Sequence, residues 1–382
     1  MNRLRRKIEE EIRARGPIPF SRYMEICLYD PELGYYSRNV ERLGKAGDFY
    51  TSSDIHAVFG RLLARQFDEM WRALGSPGSI ELIELGPGRG LFAQDVLGWS
   101  EKKFPDFFHA LRYVLVESSP ALRERIGKIL KDHFDSGKAE LTPLFPSDDK
   151  SPRATPTIVF ANEFFDALPV DIISAKGSLR IDARDGHFIE SWVPSSPEEL
   201  EFLDRYAVHP EPDERLELSL ATQQCMDRLA AGMERGFIVA VDYGYTREEQ
   251  LAGRHRGTLK AIRQHSVSAN PYEAPGEQDL TADVNFTALA AAAEKRGMQT
   301  HKLVTQSQFL MGIGEANQFA DAFEECRLPQ ERAKVALQLK HLVTPAGMGE
   351  SFQVLVAGKG VKQEAIESLS GLSFGRGTIR TE

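Results

Sequence analysis

Residues 80–91 read Ile-Glu-Leu-Ile-Glu-Leu-Gly-Pro-Gly-Arg-Gly-Leu. An apolar run reaches an acid, Glu84, and glycine then falls on three alternate positions, Gly86, Gly88 and Gly90. A main chain with so little side-chain volume can turn sharply and admit a ligand against its amides. A strand-to-helix nucleotide loop of an α/β sheet requires that freedom. The spacing is not G-x-G-x-x-G, because Leu91 stands where a nicotinamide-binding loop needs its third glycine. Glu84 sharpens the distinction, since an acid repels a pyrophosphate and suits a ligand that carries positive charge. The competing reading of so short a pattern is a plain strand-to-helix turn without a ligand.

Around this loop the apolar spacing switches between the strand and helix periods. Strands are expected over 80–85, 113–117, 139–141, 157–161, 236–242 and 351–357. Helices are expected over 90–103, 120–132, 219–233 and 284–297, with more filling 305–342; Ser119 and Pro120 provide a cap and first turn for the second. The fold class that follows is α/β, a doubly wound, mostly parallel, Rossmann-like sheet with its core in 79–169 and 236–360. Residues 1–78 form an N-terminal helical region, with helices over 3–15 (Leu4, Ile8 and Ile12 on one stripe), 20–29 and 54–74. From 170 the pattern changes to alternation, with strands over 170–174, 178–184 and 187–193 and a hairpin turn at Asp185-Gly186. This reads as a β-rich insertion on the main sheet, spanning 170–235 and placed on the acceptor or partner side. The Gly/Ser-rich end, 361–382, is expected to be a flexible tail.

Composition narrows the function. A net charge of −9 provides no general positive field for nucleic acid. The one basic stretch, Arg254, His255, Arg256, Lys260 and Arg263, reads as a solvated loop. The three cysteines, Cys27, Cys225 and Cys326, lie far apart, so neither a disulfide framework nor a metal site is signalled. The first twelve residues are charged throughout and fit neither a signal nor a transit peptide, so a cytoplasmic location is expected. No apolar run approaches the length of a membrane span.

Ligands of open α/β sheets sit at the carboxyl ends of the strands. Three chemistry-bearing segments fall at such ends: 84–90, 117–119 and 162–169. The pattern E-x-G-x-G-x-G resembles the nucleotide loop of class I S-adenosylmethionine-dependent methyltransferases, whose cofactor has no phosphate and carries a sulfonium and an ammonium. On that resemblance Glu84, Gly86, Gly88 and Gly90 are cofactor-binding. Glu117 is placed to accept from both hydroxyls of the ribose; its bland alternative is a solvent-facing acid. Asp48 in Gly47-Asp-Phe-Tyr-Thr51 would accept from the cofactor ammonium, although alone this is a turn. In Asn162-Glu163-Phe164-Phe165-Asp166, helical geometry would put Glu163 and Asp166 on one face. Paired carboxylates can hold an arginine guanidinium bidentately, and complementing a helix dipole is their structural alternative. Phe164, Phe165 and Tyr243 are candidates to line the acceptor site. His265 with Pro275–Thr281 is a candidate lid. No H-E-x-x-H, serine elbow or P-loop is present.

A longer series of motifs occurs in order: Gly47-Asp-Phe-x-Thr51, Glu84-Leu-Gly-Pro-Gly-Arg-Gly90, Val116-Glu-x-Ser-Pro120, Ala161-Asn-Glu-Phe-Phe-Asp-Ala-Leu-Pro169, Asp242-Tyr-Gly244, Gly257-Thr-Leu259, Asp279-Leu-Thr-Ala282 and Met348-Gly-Glu350. Over about 16–358 the chain resembles the MidA-type methyltransferases, which include the mitochondrial complex I assembly arginine methyltransferase and bacterial relatives. The resemblance implies S-adenosylmethionine as cofactor, Asp48 and Thr51 in its site, Asn162, Glu163 and Asp166 as catalytic residues, and a protein arginine as acceptor. Two departures stand out. Asp283 occupies the place of histidine in the D-L-T-A-H pattern, and the double-glutamate loop of the better-known arginine methyltransferases is absent. The alternatives are an assembly factor or chaperone-like binding protein that keeps the fold, a methyltransferase of another acceptor, and a nicotinamide dehydrogenase, which Glu84 and Leu91 disfavour.

Overall fold

The computed structural model describes residues 2–38, 57–145, 152–263, 266–268, 270–345 and 347–374. The chain forms two compact units. The glycine-loop unit comprises Tyr50–Glu163, Asp227–Tyr243 and Ala293–Glu382, and the N-terminal unit comprises Met1–Phe49, Phe164–Met226 and Gly244–Ala292.

The glycine-loop unit is built on a mixed sheet: β1 (Ile80–Leu85), β2 (Leu111–Val116), β3 (Ala139–Thr142), β4 (Thr157–Asn162), β5 (Gly236–Tyr245), β6 (Gln299–Thr300) and β7 (Phe352–Lys359). Their order is 3-2-1-4-5-7-6. The first five pair in parallel, and β7 runs antiparallel to both β5 and β6. All six residues of β1 are buried, as a central parallel strand covered on both faces must be. Helices Leu91–Lys103 and Pro120–Ile129 follow β1 and β2. Ser119 caps the second, accepting from the Leu122 amide at 3.4 Å. Helix Ala57–Ala73 turns Phe59, Leu63, Phe67 and Met70 into the core. There the Phe92 and Phe160 rings stack with centroids 4.6 Å apart, and Phe59 and Phe67 close around them.

The flexible tail expected from 361 is corrected up to residue 374. Helix Gln363–Glu367 and a 3₁₀ turn at Ser370–Leu372 place Ile366, Leu369 and Leu372 in the main core. Gln66 and Glu69 accept from the Gly371 and Ser370 amides at 2.9 Å. Glycine and serine content had hidden apolar residues spaced three apart.

In the N-terminal unit, helix Arg3–Arg15 buries Leu4, Ile8 and Ile12, and helix Phe20–Tyr29 follows. The 170–218 strands do not extend the main sheet. Asp171–Ser174, Gly177–Arg184, His187–Val193 and Leu216–Leu218 form a separate antiparallel sheet with Ile18–Pro19, whose Ile18 pairs with Ile181. Asp185 and Gly186 both take positive φ, +51° and +75°, the two-residue turn that matches the twist of its strands. The compact units also cross the sequence boundaries: residues 1–49 separate from 50–78, and 244–292 separate from the sheet core. Pairing between distant short strands drew those lines, and local periodicity carries no record of it.

Part of 244–292 is a three-stranded sheet of Lys260–Arg263, Ser266–Ser268 and Asp279–Thr281. The expected lid at Pro275–Thr281 is therefore corrected to an anchored segment. Its end is a sheet strand, and Asn2 Nδ2 donates to Pro275 O at 2.7 Å. Gly276 lies so close to the backbone that an added Cβ would stand 2.4 Å from Leu33 O. The basic stretch is neutralised by acids, with Arg254 on Glu249, His255 and Lys260 on Asp283, Arg256 on Glu214 and Arg263 on Glu277. No helix among the described residues is long and apolar enough to cross a membrane.

Candidate active site

β1 ends at Leu85, and the next turn is made almost entirely by main chain. Gly86, Gly88 and Gly90 have φ of +61°, +53° and +77°, a left-handed region that costs an L-residue about 1–2 kcal/mol. The Gly86 amide donates to Val116 O at 3.1 Å, and the Gly90 amide donates to Pro87 O at 2.8 Å. A Cβ on Gly90 would press on Ile126 Cγ1 at 3.3 Å, whereas a Cβ on Gly88 would meet nothing within 4 Å. Gly90 thus serves close packing, and the space over Gly88 is open. Helix Leu91–Lys103 starts at this point, so the loop leads into a helix N-terminus with its unpaired amides.

Two acids complete this end of the unit. Glu84 is 5% exposed and accepts from Tyr113 Oη at 2.8 Å; burial pushes its carboxyl up to about 8. Glu117 follows β2 directly and is 7% exposed. Its Oε1 accepts from the Ser119 amide at 2.7 Å, and burial raises it to about 7 against the lowering influence of that amide and of Arg123. A ligand that brings positive charge or hydroxyl donors would favour the ionised forms of both acids. Tyr113 was not anticipated, because its contact with Glu84 depends on the β1–β2 register, in which it pairs with Leu82.

The segment after β4 is not helical. Glu163 takes φ of +50°, and a turn follows in which the Leu168 amide donates to Phe165 O at 3.2 Å. The shared helical face expected for Glu163 and Asp166 is corrected accordingly. A left-handed residue breaks the helix at its start, and Pro169 disfavours helix at the residue before it. Asn162 Nδ2 donates to Glu163 Oε1 at 3.1 Å. Asp166, in the N-terminal unit, is 8% exposed and accepts from Thr281 Oγ1 at 2.8 Å. Its carbonyl accepts from the Ala282 amide at 3.0 Å. Burial, reinforced by Asp283, pushes its carboxyl up to about 6. The Phe164 and Phe165 rings meet edge to face at 5.3 Å, with Phe165 buried. Tyr243 lies against Phe352, with ring centroids 3.9 Å apart. Asp48, Thr51 and His265 lie outside the described residues.

Sequence reasoning missed a cleft within the N-terminal unit. Its walls include Phe165, Phe202, Glu217, Tyr245, Asp283 and Asn285, around a small cavity of about 20 Å³ that opens to solvent. Glu217 accepts from the Thr258 amide at 2.7 Å and from its hydroxyl at 3.1 Å. The only signal in the sequence was Asp283, the departure from a family pattern. Here it meets His255 Nδ1 at 3.0 Å and Lys260 Nζ at 3.3 Å.

A model of the S-adenosyl-L-methionine-dependent methyltransferase family matches residues 62–304. The chain belongs to this family. It is similar to the mitochondrial protein arginine methyltransferase NDUFAF7 homolog of Drosophila melanogaster, with 32% identity over 97% of this chain and 88% of that protein. The human protein arginine methyltransferase NDUFAF7, mitochondrial, is 26% identical over 91% of this chain and 81% of its own length. A Burkholderia thailandensis protein crystallised with S-adenosyl-homocysteine superposes with a TM-score of 0.81 at 26% identity, covering 97% of this chain and 94% of that one. The fold is thus class I methyltransferase-like, and the enzyme is S-adenosylmethionine-dependent. The cytoplasmic expectation is corrected, because these curated relatives are mitochondrial proteins. The residues present fit the cofactor of this methyltransferase family. The space over Gly88 is open, and buried acids stand at the ends of β1 and β2 where a sulfonium nucleoside needs acceptors rather than phosphate donors.

Proposed function

We propose that this methyltransferase modifies an arginine side chain of a protein. The observation that carries the reading is the 32% identity to the Drosophila arginine methyltransferase homolog across 97% of the chain, a span that includes both the glycine loop and 162–169. S-adenosylmethionine, when bound, supplies an electrophilic methyl group on a cationic sulfur. The amides of 86–91 and the carboxylate of Glu84 hold its amino-acid end, and Glu117 accepts from the ribose hydroxyls. The family resemblance also assigns Asp48 and Thr51, which lie outside the described residues, to the cofactor. We read the sheet as doubly wound, which its strand order supports.

Methyl transfer to nitrogen needs an aligned lone pair more than an acid or base, so the protein's task is positioning and charge stabilisation. Glu163, with Asn162 donating to it, and Asp166 are the groups assigned to hold the guanidinium. Phe164, Phe165, Tyr243 and His265 are assigned to line the acceptor's path. The N-terminal unit, with its antiparallel 170–218 sheet, is assigned to the protein acceptor.

The test is incubation of the purified protein with methyl-labelled S-adenosylmethionine and cell lysate, followed by mass spectrometry of the labelled residue. Methylarginine is expected, and Glu163→Gln should abolish it while S-adenosyl-homocysteine affinity stays within a few fold. Label on a small molecule, or on another residue type, overturns the arginine assignment.

A further inference from the structure

The edge of the main sheet beside β7 is irregular. Thr300 pairs with Ala357 and Val304 with Val354, so the edge takes four steps where β7 takes three. The extra residue makes a bulge at 301–303, a device that re-aims side chains. A cavity of about 330 Å³ lies against this bulge, within the roughly 300–1,000 Å³ of small-molecule sites. Its other walls are the first turn of helix Gln306–Glu315, through Gln308, and the 370–374 segment, through Leu372 and Phe374. Glycines bring these walls together. A Cβ on Gly312 would stand 2.3 Å from Ser370 O, and one on Gly371 would stand 2.5 Å from Phe309 Cε2.

The lining divides into an apolar part and a cationic part. Val304, Leu372 and Phe374 supply apolar surface, and the Phe374 ring is 41% exposed. Lys302 is the one lysine or arginine of the lining, and no carboxylate accompanies it. Among the described residues Lys302 joins no ion pair. His301 is 8% exposed, and its Nδ1 lies 2.7 Å from Lys302 O. A carbonyl only accepts, so Nδ1 carries the proton of that contact. Gln308 Oε1 accepts from the Thr305 amide at 3.0 Å, which leaves Nε2 of Gln308 to donate. The helix starts beside this group, and its dipole favours negative charge there.

We propose that this cavity is a second binding site, which takes a monocarboxylate with an apolar body. The carboxylate meets Lys302 and Gln308, and the body lies against Val304, Leu372 and Phe374. One cation without a partner matches one negative charge. A dianionic phosphate calls for a second fixed cation or the fork of an arginine, and the lining has neither. The site is separate from the cofactor loop. Four strand spacings of about 4.8 Å, roughly 19 Å in all, lie between β1 and this edge. The inference is independent of the arginine reading of the methyl acceptor.

The experiment is a ligand-observed NMR titration of the full chain saturated with S-adenosyl-homocysteine, so that the cofactor site is filled. The probes are 4-phenylbutyrate, its uncharged amide 4-phenylbutyramide, the cation 4-phenylbutylammonium, and acetate as the head group alone. Phenylbutyrate should bind at least tenfold more tightly than each of the other three. Lys302→Gln should remove that preference over the amide and leave amide affinity within twofold of wild type. Phe374→Ala should weaken both the carboxylate and the amide by threefold or more. Both side chains are exposed, so the variants keep the fold, and S-adenosyl-homocysteine affinity within twofold of wild type checks this. No saturable binding of phenylbutyrate at millimolar concentration overturns the proposal on the wild-type protein alone. Equal affinity for the carboxylate and the amide, or tighter binding of the ammonium probe, overturns it as well. A preference that survives Lys302→Gln places the carboxylate elsewhere and defeats the assignment of this cavity.

Discussion

The loop at 86–90 and the cleft around Glu217 are built in opposite ways. The loop is local, being five consecutive residues whose left-handed backbone shapes the site and whose side chains matter mainly by their absence. The cleft is assembled from side chains at 165, 202, 217, 245 and 283, five stretches of chain that are a turn, a helix, two strands and a connecting segment. A site of the first kind is robust to its surroundings and intolerant of substitution at its glycines. A site of the second kind tolerates backbone variation and depends on the hydrogen bonds that fix each side chain.

The most severe break of that comparison is Gly88→Val. A β-branched residue at φ +53° is strained, but a Cβ there meets nothing within 4 Å. Isothermal titration should therefore show S-adenosyl-homocysteine affinity down by about a hundredfold or more, with a stability loss of only about 1–2 kcal/mol in denaturant. Equal losses in both measurements would mean that the glycine serves the fold rather than the ligand.

A smaller effect tests the acid beside the loop. Glu117 titrates near 7 because it is buried, above the ordinary glutamate value. A folded-state value raised in this way contributes stability below about pH 4.5, and the contribution is lost as pH rises through about 7. Ribose hydroxyls need the ionised form as acceptor, and its fraction grows from about one-tenth at pH 6 to about nine-tenths at pH 8. Affinity for S-adenosyl-homocysteine should rise by about tenfold over that range, and Glu117→Gln should flatten the profile. A slope unchanged in the variant would assign the titration to another group.

The mildest probe addresses the side-chain-built region. Thr281→Val removes the hydroxyl that donates to Asp166 Oδ2. Losing a donor to a buried carboxyl costs about 1–3 kcal/mol. The Thr281 hydroxyl lowers the Asp166 value, so without it that value moves above about 6. The ionised form suffers most, so denaturant melts should show a larger loss at pH 8 than at pH 5. A loss independent of pH would mean that Asp166 is not the group affected.

Strand-by-strand legibility follows the same division. β1 was readable to the residue because six buried residues in a row end at a glycine turn. The hairpin at Asp185-Gly186 was equally plain, since two residues with positive φ advertise themselves in composition. Glu117 was legible because it follows a strand directly. The turn after β4 was not, because Asn-Glu-Phe-Phe-Asp is compatible with helix and only the observed φ at Glu163 shows otherwise. The three-stranded sheet at 260–281 went unseen because its strands are three or four residues long and take their register from one another.

The amino-acid sequence by itself determined the parallel strands, the glycine loop and the class of cofactor, all of which depend on neighbouring residues and on conformations that only certain residues adopt. Tertiary structure decided the sheet to which 170–218 belongs, the packing of 363–372 into the core, the partners of Asp166 and Asp283, and the cleft that Glu217 lines. Those depend on pairing energies between segments separated by tens to hundreds of residues, and no local pattern encodes which distant strand or side chain will be met.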